Sequence, residues 1–243
     1  MHKKKIGKRE KGKGKRKKSL LREWVEAIIF AGIAALILRT FVIQTFKIPT
    51  GSMENTFLPG DFLIANKFIF RFREPQRQEV IIFKYPGDPA RPQPTKKYSK
   101  IFGPIYWNNE NFFFKYYTRR DFIKRVIGMP GDTVKVVNKK VFINGKPLEE
   151  KYAHHFDPRV IPYKYGNRYI NGKFVGSRDN FGPVVVPKDC YFVMGDNRDN
   201  SSDSRFWGFL HKKYLQGIPI IIYWSGWPKW LHRVRWDRIF KIV

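Results

Sequence analysis

The sequence predicts a mainly β protein: an antiparallel β-sheet domain preceded by one N-terminal transmembrane helix. Three observations carry this expectation. After residue 44 the chain runs in short stretches of β-branched and aromatic residues broken by Gly, Pro and Asp; residues 24–43 are almost continuously apolar; and a block of Lys and Arg stands ahead of them. At 243 residues and 42% hydrophobic composition, the chain has enough apolar material for a packed core.

The basic block comes first. Between residues 3 and 18 there are eleven Lys or Arg opposed only by Glu10, with Gly interleaved. Such a segment cannot build a core and is expected to be a solvated, disordered arm over 1–22. The formal charge of +28 suits nucleic acid, anionic lipid or any acidic surface, and composition alone does not choose among them. Followed by an apolar run, the arm reads as a tether to membrane lipid and a topology signal, with no nucleic-acid partner expected.

Residues 27–38 contain no charge, and the stretch around them is long enough to cross a hydrocarbon core of about 30 Å at about 1.5 Å per helical residue. The anchor is placed at 23–44, with Glu26 and Arg39 near its ends. A cleaved signal peptide would end in small residues, whereas this run ends Arg39-Thr40-Phe41-Val42-Ile43-Gln44. An uncleaved, single-pass anchor in the cell membrane is expected, N-terminus in the cytoplasm and residues 45–243 on the far side.

In the domain over 45–243 the clearest strands are 62–66, 80–85, 122–128, 133–137, 141–144, 191–194 and 219–223. Asn138-Lys139-Lys140 makes a tight hairpin and Asn144-Gly145 another turn. Two stretches read as insertions, 87–118, Pro-rich then aromatic, and 149–182, rich in Tyr, Asn and Gly. There is no internal repeat and no long amphipathic helix after the anchor. The single cysteine, Cys190, excludes an internal disulfide framework and a zinc site built on thiolates, and its apolar neighbours mark a buried hydrophobe. No metal or other cofactor is expected.

Ser52 follows Pro49 and Gly51, which puts its hydroxyl on a turn whose backbone another chain can approach. A serine hydroxyl is a weak nucleophile at neutral pH and needs a base. Of the five histidines, only His154-His155 has a carboxylate nearby, Asp157, so a Ser-His-Asp arrangement stays open as a minor alternative. A lysine serves if burial lowers its pKa. In the strand 122–128, alternation sets Lys124 with Phe122 and Val126, and Arg125 with Ile123 and Ile127. Periodicity leaves open which basic residue is buried, but only the amine can lose its proton at all readily.

The segments Ile48-Pro49-Thr50-Gly51-Ser52-Met53 followed by Thr56-Phe57-Leu58-Pro59-Gly60-Asp61, then Lys124-Arg125-Val126-Ile127-Gly128-Met129-Pro130-Gly131-Asp132, then Gly195-Asp196-Asn197-Arg198-Asp199-Asn200-Ser201-Ser202-Asp203-Ser204-Arg205 resemble, in order and spacing, the signature boxes of bacterial signal peptidase I. The resemblance covers most of the chain apart from the basic arm and the two insertions. It implies a signal-peptidase-like β fold and a membrane-bound serine endopeptidase that removes signal peptides from secretory precursors with small residues before the cut. It further implies Ser52 as nucleophile, Lys124 as general base, Thr50 as an oxyanion-hole donor and Ser201 as the group orienting the lysine. Arg125 is then expected to pair with Asp196, with Asp203 and Arg205 as a structural acid and base near the site. The family usually has Gly-Asp where this chain has Gln78-Glu79, a departure at a structural turn. The strand 80–85 is expected to be the edge on which an extended substrate pairs, and Met53 with exposed aromatic residues to dip into lipid. Two rivals are the self-cleaving SOS-type repressors, which lack the apolar run, and a non-enzymatic basic membrane protein acting through its arm.

Overall fold

The computed structural model describes residues 20–37, 43–87, 98–102, 105–110, 112–116, 119–226 and 234–243. Residues 1–19 of the expected arm and 38–42 of the expected anchor lie outside the described residues. The chain divides into two units, Met1–Thr40 and Phe41–Val243.

The first unit contains α1 (Leu20–Ile37), which begins inside the stretch expected to be disordered. Leu21, Trp24, Ile28 and Phe30 are exposed on it, and Arg22 pairs with Glu26 one turn on at 2.9 Å. Three charged residues, Arg22, Glu23 and Glu26, interrupt its opening turns. Among the described residues no helix is long and apolar enough to cross a membrane.

The strands of the second unit, in chain order, begin with β1 (Ile43–Lys47), β2 (Asp61–Asn66), β3 (Val80–Lys84), β4 (Tyr98–Phe102), β5 (Ile105–Asn108) and β6 (Phe113–Tyr116). There follow β7 (Asp121–Gly128), β8 (Thr133–Val137), β9 (Lys140–Ile143), β10 (Lys146–Pro147), β11 (Arg168–Ile170), β12 (Lys173–Gly176) and β13 (Phe181–Val185). The last are β14 (Cys190–Met194), β15 (Leu210–His211) and β16 (Leu215–Ser225), with the one-turn helix α2 (Ser204–Trp207) between β14 and β15. A seven-stranded sheet has the order β1-β2-β16-β3-β7-β14-β15, a six-stranded sheet the order β10-β9-β8-β13-β12-β11, and β4-β5-β6 form a small third sheet. The antiparallel β architecture follows from the alternation in the sequence: in β2, for example, Leu63 and Ala65 are buried between half-buried neighbours.

The end of the anchor expected at 44 needs correction. Ile43 and Gln44 belong to β1 and pair with Asn66 and Ala65 of β2. Ile43, Thr45 and Phe46 are strand-favouring residues, and in sequence they simply prolong the apolar run before them. The expected substrate edge also needs correction, because β3 is interior, paired with β16 on one side and β7 on the other.

The predicted turns form with the required geometry. Asn138 and Lys139 (φ 47° and 70°) close the β8–β9 hairpin, and Asn144 and Gly145 (φ 52° and 81°) make the next turn. Gln78 has φ 67°, a left-handed conformation that glycine adopts without cost, so the chain carries strain at this turn. Both expected insertions contain strands: β4–β6 fall in the first, and β11, β12 and the start of β13 in the second.

The core lies in three apolar clusters. Ile127, Val134, Val136, Phe181, Phe192 and Met194 join the two large sheets, and Ile81, Phe83, Val126, Tyr191 and Val193 fill the middle of the larger one. Ile48, Met53, Phe57, Leu63, Val80 and Ile222 pack beneath the turn that carries Ser52. Each fully buried aliphatic or aromatic side chain contributes about 1.5–3 kcal/mol, so this last cluster holds the turn firmly.

Candidate active site

Ser52 sits on a single 3-10 turn, Gly51–Met53, entered from Thr50 in extended conformation. Met53 is fully buried, so it anchors the turn in the core and does not reach lipid as expected. The amide of Phe57 donates to Met53 O at 2.7 Å, and Ile48, just before the turn, exchanges backbone hydrogen bonds with the Gly60-Asp61 segment. From the other side the Asn197 amide donates to Ser52 O at 3.2 Å, and Asn197 Nδ2 donates to Glu54 Oε2 at 2.7 Å. Ser52 is therefore held between the core and the segment 195–205.

Lys124 reaches it from β7, opposite Ile81 of β3. Its Nζ lies 2.7 Å from Ser52 Oγ and 2.9 Å from Ile123 O. The side chain is 3% exposed. Burial lowers its pKa from 10.5 to about 8, against the pull of Asp203 and Asp196 and with the help of Arg205. At pH 7 about a tenth of the molecules then carry a neutral amine, against about one in three thousand for an unperturbed lysine. Once neutral, Nζ has a lone pair to accept the Ser52 proton and still donates to Ile123 O.

Arg125 points to the opposite face of β7 and grips Asp196 with both arms, Nε to Oδ1 at 2.8 Å and Nη2 to Oδ2 at 2.6 Å. Thr56 Oγ1 donates to Asp196 Oδ2 at 2.6 Å and accepts from Arg125 Nη2 at 3.0 Å, tying this pair to the Ser52 turn. The guanidinium also lies 3.9 Å from the centre of the Tyr152 ring. Behind Lys124, Asp203 accepts from Arg205 Nε at 2.9 Å and Nη2 at 2.8 Å, and from the Gly195 amide at 3.1 Å. Burial works to raise the Asp203 pKa, but Arg205 and the Gly195 amide hold it below the usual carboxylate range. Asp203 also caps α2 through the Arg205 amide.

The other two expected residues differ in placement. Thr50 is exposed and lines the cleft beside Ser52 without capping the turn. Ser201 is buried, and its hydroxyl lies beside the Asp203 carboxylate, whose pKa it helps to lower, although not at full hydrogen-bonding geometry; no bond to the lysine amine is formed here. It packs over Gly195, where a Cβ would come within 2.2 Å of Ser201 Oγ and 2.4 Å of Ser52 O. Thr56 belongs to the first motif, but its role was not legible there: a hydroxyl in a turn gives no signal of the charged pair it bridges.

A cleft of about 630 Å³ opens over the pair, walled by Ile48, Pro49 and Thr50 on one side, by 120–124 on another, and by Asn200 and Ser202 on a third. β7 pairs with β3 from Asp121 to Arg125, but with β14 only from Arg125 to Gly128. On that second side residues 121–124 are paired with no strand among those described, which leaves a free edge leading to Lys124. No histidine side chain bonds to Ser52 among the described residues; His154 contributes backbone and His155 stands 3.6 Å from Asp199. No group of three or more His, Cys, Asp or Glu among them is arranged to hold a metal ion.

The family model described as "Signal peptidase, peptidase S26" matches residues 21–224. The chain is 32% identical over 247 residues to signal peptidase I of Aquifex aeolicus, covering 85% of each chain. It is 35% identical over 204 residues to the probable signal peptidase I-2 of a Synechocystis species, covering 83% of this chain and 73% of the relative. To signal peptidase I P of Bacillus subtilis subsp. natto it is 32% identical over 212 residues, covering 87% and 93%. The chain belongs to the signal peptidase family, peptidase S26, and is a serine endopeptidase that removes signal peptides from secretory precursors.

Proposed function

We propose that Ser52 is the nucleophile and Lys124 the general base of this peptidase. The observation that carries the reading is a buried amine of lowered pKa 2.7 Å from the hydroxyl of a serine on the floor of an open cleft. A precursor lies extended along the free edge 121–124, exchanging main-chain hydrogen bonds with β7. The neutral Lys124 amine takes the Ser52 proton as Oγ attacks the scissile carbonyl. The oxyanion is met by the Ser52 amide and the Thr50 hydroxyl, both in the lining of the same cleft. The Lys124 ammonium gives its proton to the leaving amine, the acyl-enzyme remains on Ser52, and a water deprotonated by Lys124 then releases the acyl product. In the neutral amine one N–H is left over after Ile123 O, and the Ser201 hydroxyl, whose own proton faces the Asp203 carboxylate, has lone pairs to accept it. Ile48, Ile123 and Pro49 give the cleft apolar walls near Ser52, which suits small side chains before the cut.

We assign the domains as first read, with the boundary moved: a basic arm, a membrane anchor ending before Ile43, and a catalytic domain. The apolar faces that α1 leaves open and the charge-free run to Leu38 support anchoring, and the basic arm supports a cytoplasmic N-terminus beside anionic lipid, with the catalytic domain on the extracytoplasmic side. The test uses the detergent-solubilised full chain and a precursor ending in Ala-x-Ala. Ser52→Ala and Lys124→Met should each abolish cleavage while circular dichroism stays native; cleavage at wild-type rate by either one rejects the assignment.

A further inference from the structure

We propose that the segment 149–182 is a clamp that positions the catalytic loop 199–203, and that Arg178 is its central positioning residue. This rests on the Ser52–Lys124 reading. The segment grips the box 195–205 at successive points. Glu150 holds Arg198, which is 1% exposed, with a fork of which one arm measures 2.7 Å. The His154 amide donates to Asp196 O at 2.7 Å, and the Arg198 amide donates to His154 O at 2.9 Å, so the two backbones run side by side.

The third grip falls on the loop itself. The Asp199 side chain is fully buried. It accepts from Lys139 Nζ at 3.2 Å and from the Asp157 amide at 2.9 Å, with Arg178 Nη2 at 3.6 Å. Arg178 Nη1 also donates to the Asp199 carbonyl at 3.3 Å, and Arg205 Nη1 donates back to Arg178 O at 3.2 Å. Arg178 is itself fixed by a fork onto Asp179, at 2.7 and 3.0 Å. Burial works to raise the Asp199 pKa, and the Asp157 amide, Lys139 and Arg178 more than offset it, so the carboxylate stays charged.

Residues along the loop then serve alternate purposes. Asp199 points back into the clamp, Asn200 and Ser202 wall the cleft, and Ser201 and Asp203 turn inward beneath Lys124. Arg178 does not line the cleft. Its influence on the reaction passes through where Asn200, Ser201 and Ser202 stand and through how well Lys124 is shielded from water.

The experiment compares full-length wild type, Arg178→Ala, Arg178→Lys and Asp199→Asn in detergent with a signal-peptide substrate, measuring kcat, KM and the pH dependence of kcat/KM well below each protein's unfolding temperature. Displacing a loop by about 1 Å at such a site costs about 10²-fold, so Arg178→Ala should lose about 10- to 100-fold in kcat with KM changed by less than about 3-fold. The acid limb of its profile, governed by Lys124 facing Asp196, Asp203 and Arg205, should move from about 8 toward 10.5 as water reaches the amine. Arg178→Lys, which keeps a cation beside Asp199, should recover most of kcat. Asp199→Asn, which keeps shape and loses charge, should reproduce the loss if Arg178→Ala does not fold. Unchanged kcat and pH limb in the folded variants, or a loss confined to KM or to thermal stability, overturns the proposal. A Ser52→Ala control that still cleaves overturns the dyad instead.

Discussion

Replacing Lys124 with Met should make the protein more stable as it makes it inactive. The folded pKa of Lys124 lies near 8 because the amine is buried, while the unfolded chain titrates near 10.5. Between those pH values the unfolded state binds more protons, so stability rises with pH; below about 8 both states are protonated and the native state bears the whole cost of a buried ammonium. At 1.36 kcal/mol per pH unit that cost is about 3 kcal/mol. Met fills a similar volume with no charge and gives up the hydrogen bonds to Ser52 Oγ and Ile123 O, at about 1 kcal/mol each at most, with both acceptors beside an open cleft. The variant should therefore be about 1–3 kcal/mol more stable than wild type at pH 7, and the advantage should vanish between pH 8 and 10.5. Urea unfolding of both proteins in one mild detergent at pH 6.5, 7.5, 8.5, 9.5 and 10.5 measures this. A stability difference independent of pH, or a destabilised variant at pH 7, would refute the idea that burial is what activates the amine.

Gly195→Ala places a Cβ 2.2 Å from Ser201 Oγ and 2.4 Å from Ser52 O, and because Ser52 O is backbone the nucleophile turn must move. A kcat loss of about 100-fold is expected, and single-turnover cleavage checks it. Thr50→Ala should cost about 2.7–4 kcal/mol of transition-state stabilisation with an unchanged unfolding midpoint, whereas Thr50→Ser should keep most of the rate. Arg238 holds buried Asp61 at 2.6 Å and donates to Thr56 O at 2.9 Å, so Arg238→Ala should destabilise the domain by about 3 kcal/mol. The partly exposed pair Arg73–Glu79 is the control: Arg73→Ala should cost less than about 1 kcal/mol by the same denaturant titration.

The sequence announced the strands whose alternation is regular, such as 133–137, and the hairpin after them, because Asn at a left-handed position is a local signal. It underestimated β16, which runs through Gly217 and Pro219. Gly217 looks like a breaker, yet a Cβ there would stand 2.1 Å from Asn66 O, so the glycine marks close strand contact. β4 to β6 were hidden because a run such as Phe112-Phe113-Phe114 shows no alternation. Sheet order is not a local property: β3 reads as an edge until β16, far along the chain, covers it. In the site, Lys124 and Ser52 were legible through motif spacing and amine chemistry. The direction of the Ser201 hydroxyl, the bridging Thr56 and the Met53 plug depend on contacts between distant segments, which one-dimensional patterns do not encode.

The open side of β7 at 121–124 has a further consequence for selectivity. An unpaired strand edge offers the same amides and carbonyls to any extended chain, so the main-chain part of the affinity is common to all of them, including a second copy of this protein. That edge is only four residues long, and the ion pair between Lys84 and Asp121, at 2.8 Å, stands at its outer end. Charge at the end of a short edge discourages strand-to-strand stacking of enzyme molecules while leaving room for one short peptide. If precursors pair along this edge as proposed, unrelated secreted proteins compete for the peptidase on nearly equal backbone terms, and what separates a cleavage site from the rest of a chain is side-chain volume in the few ångströms around Ser52.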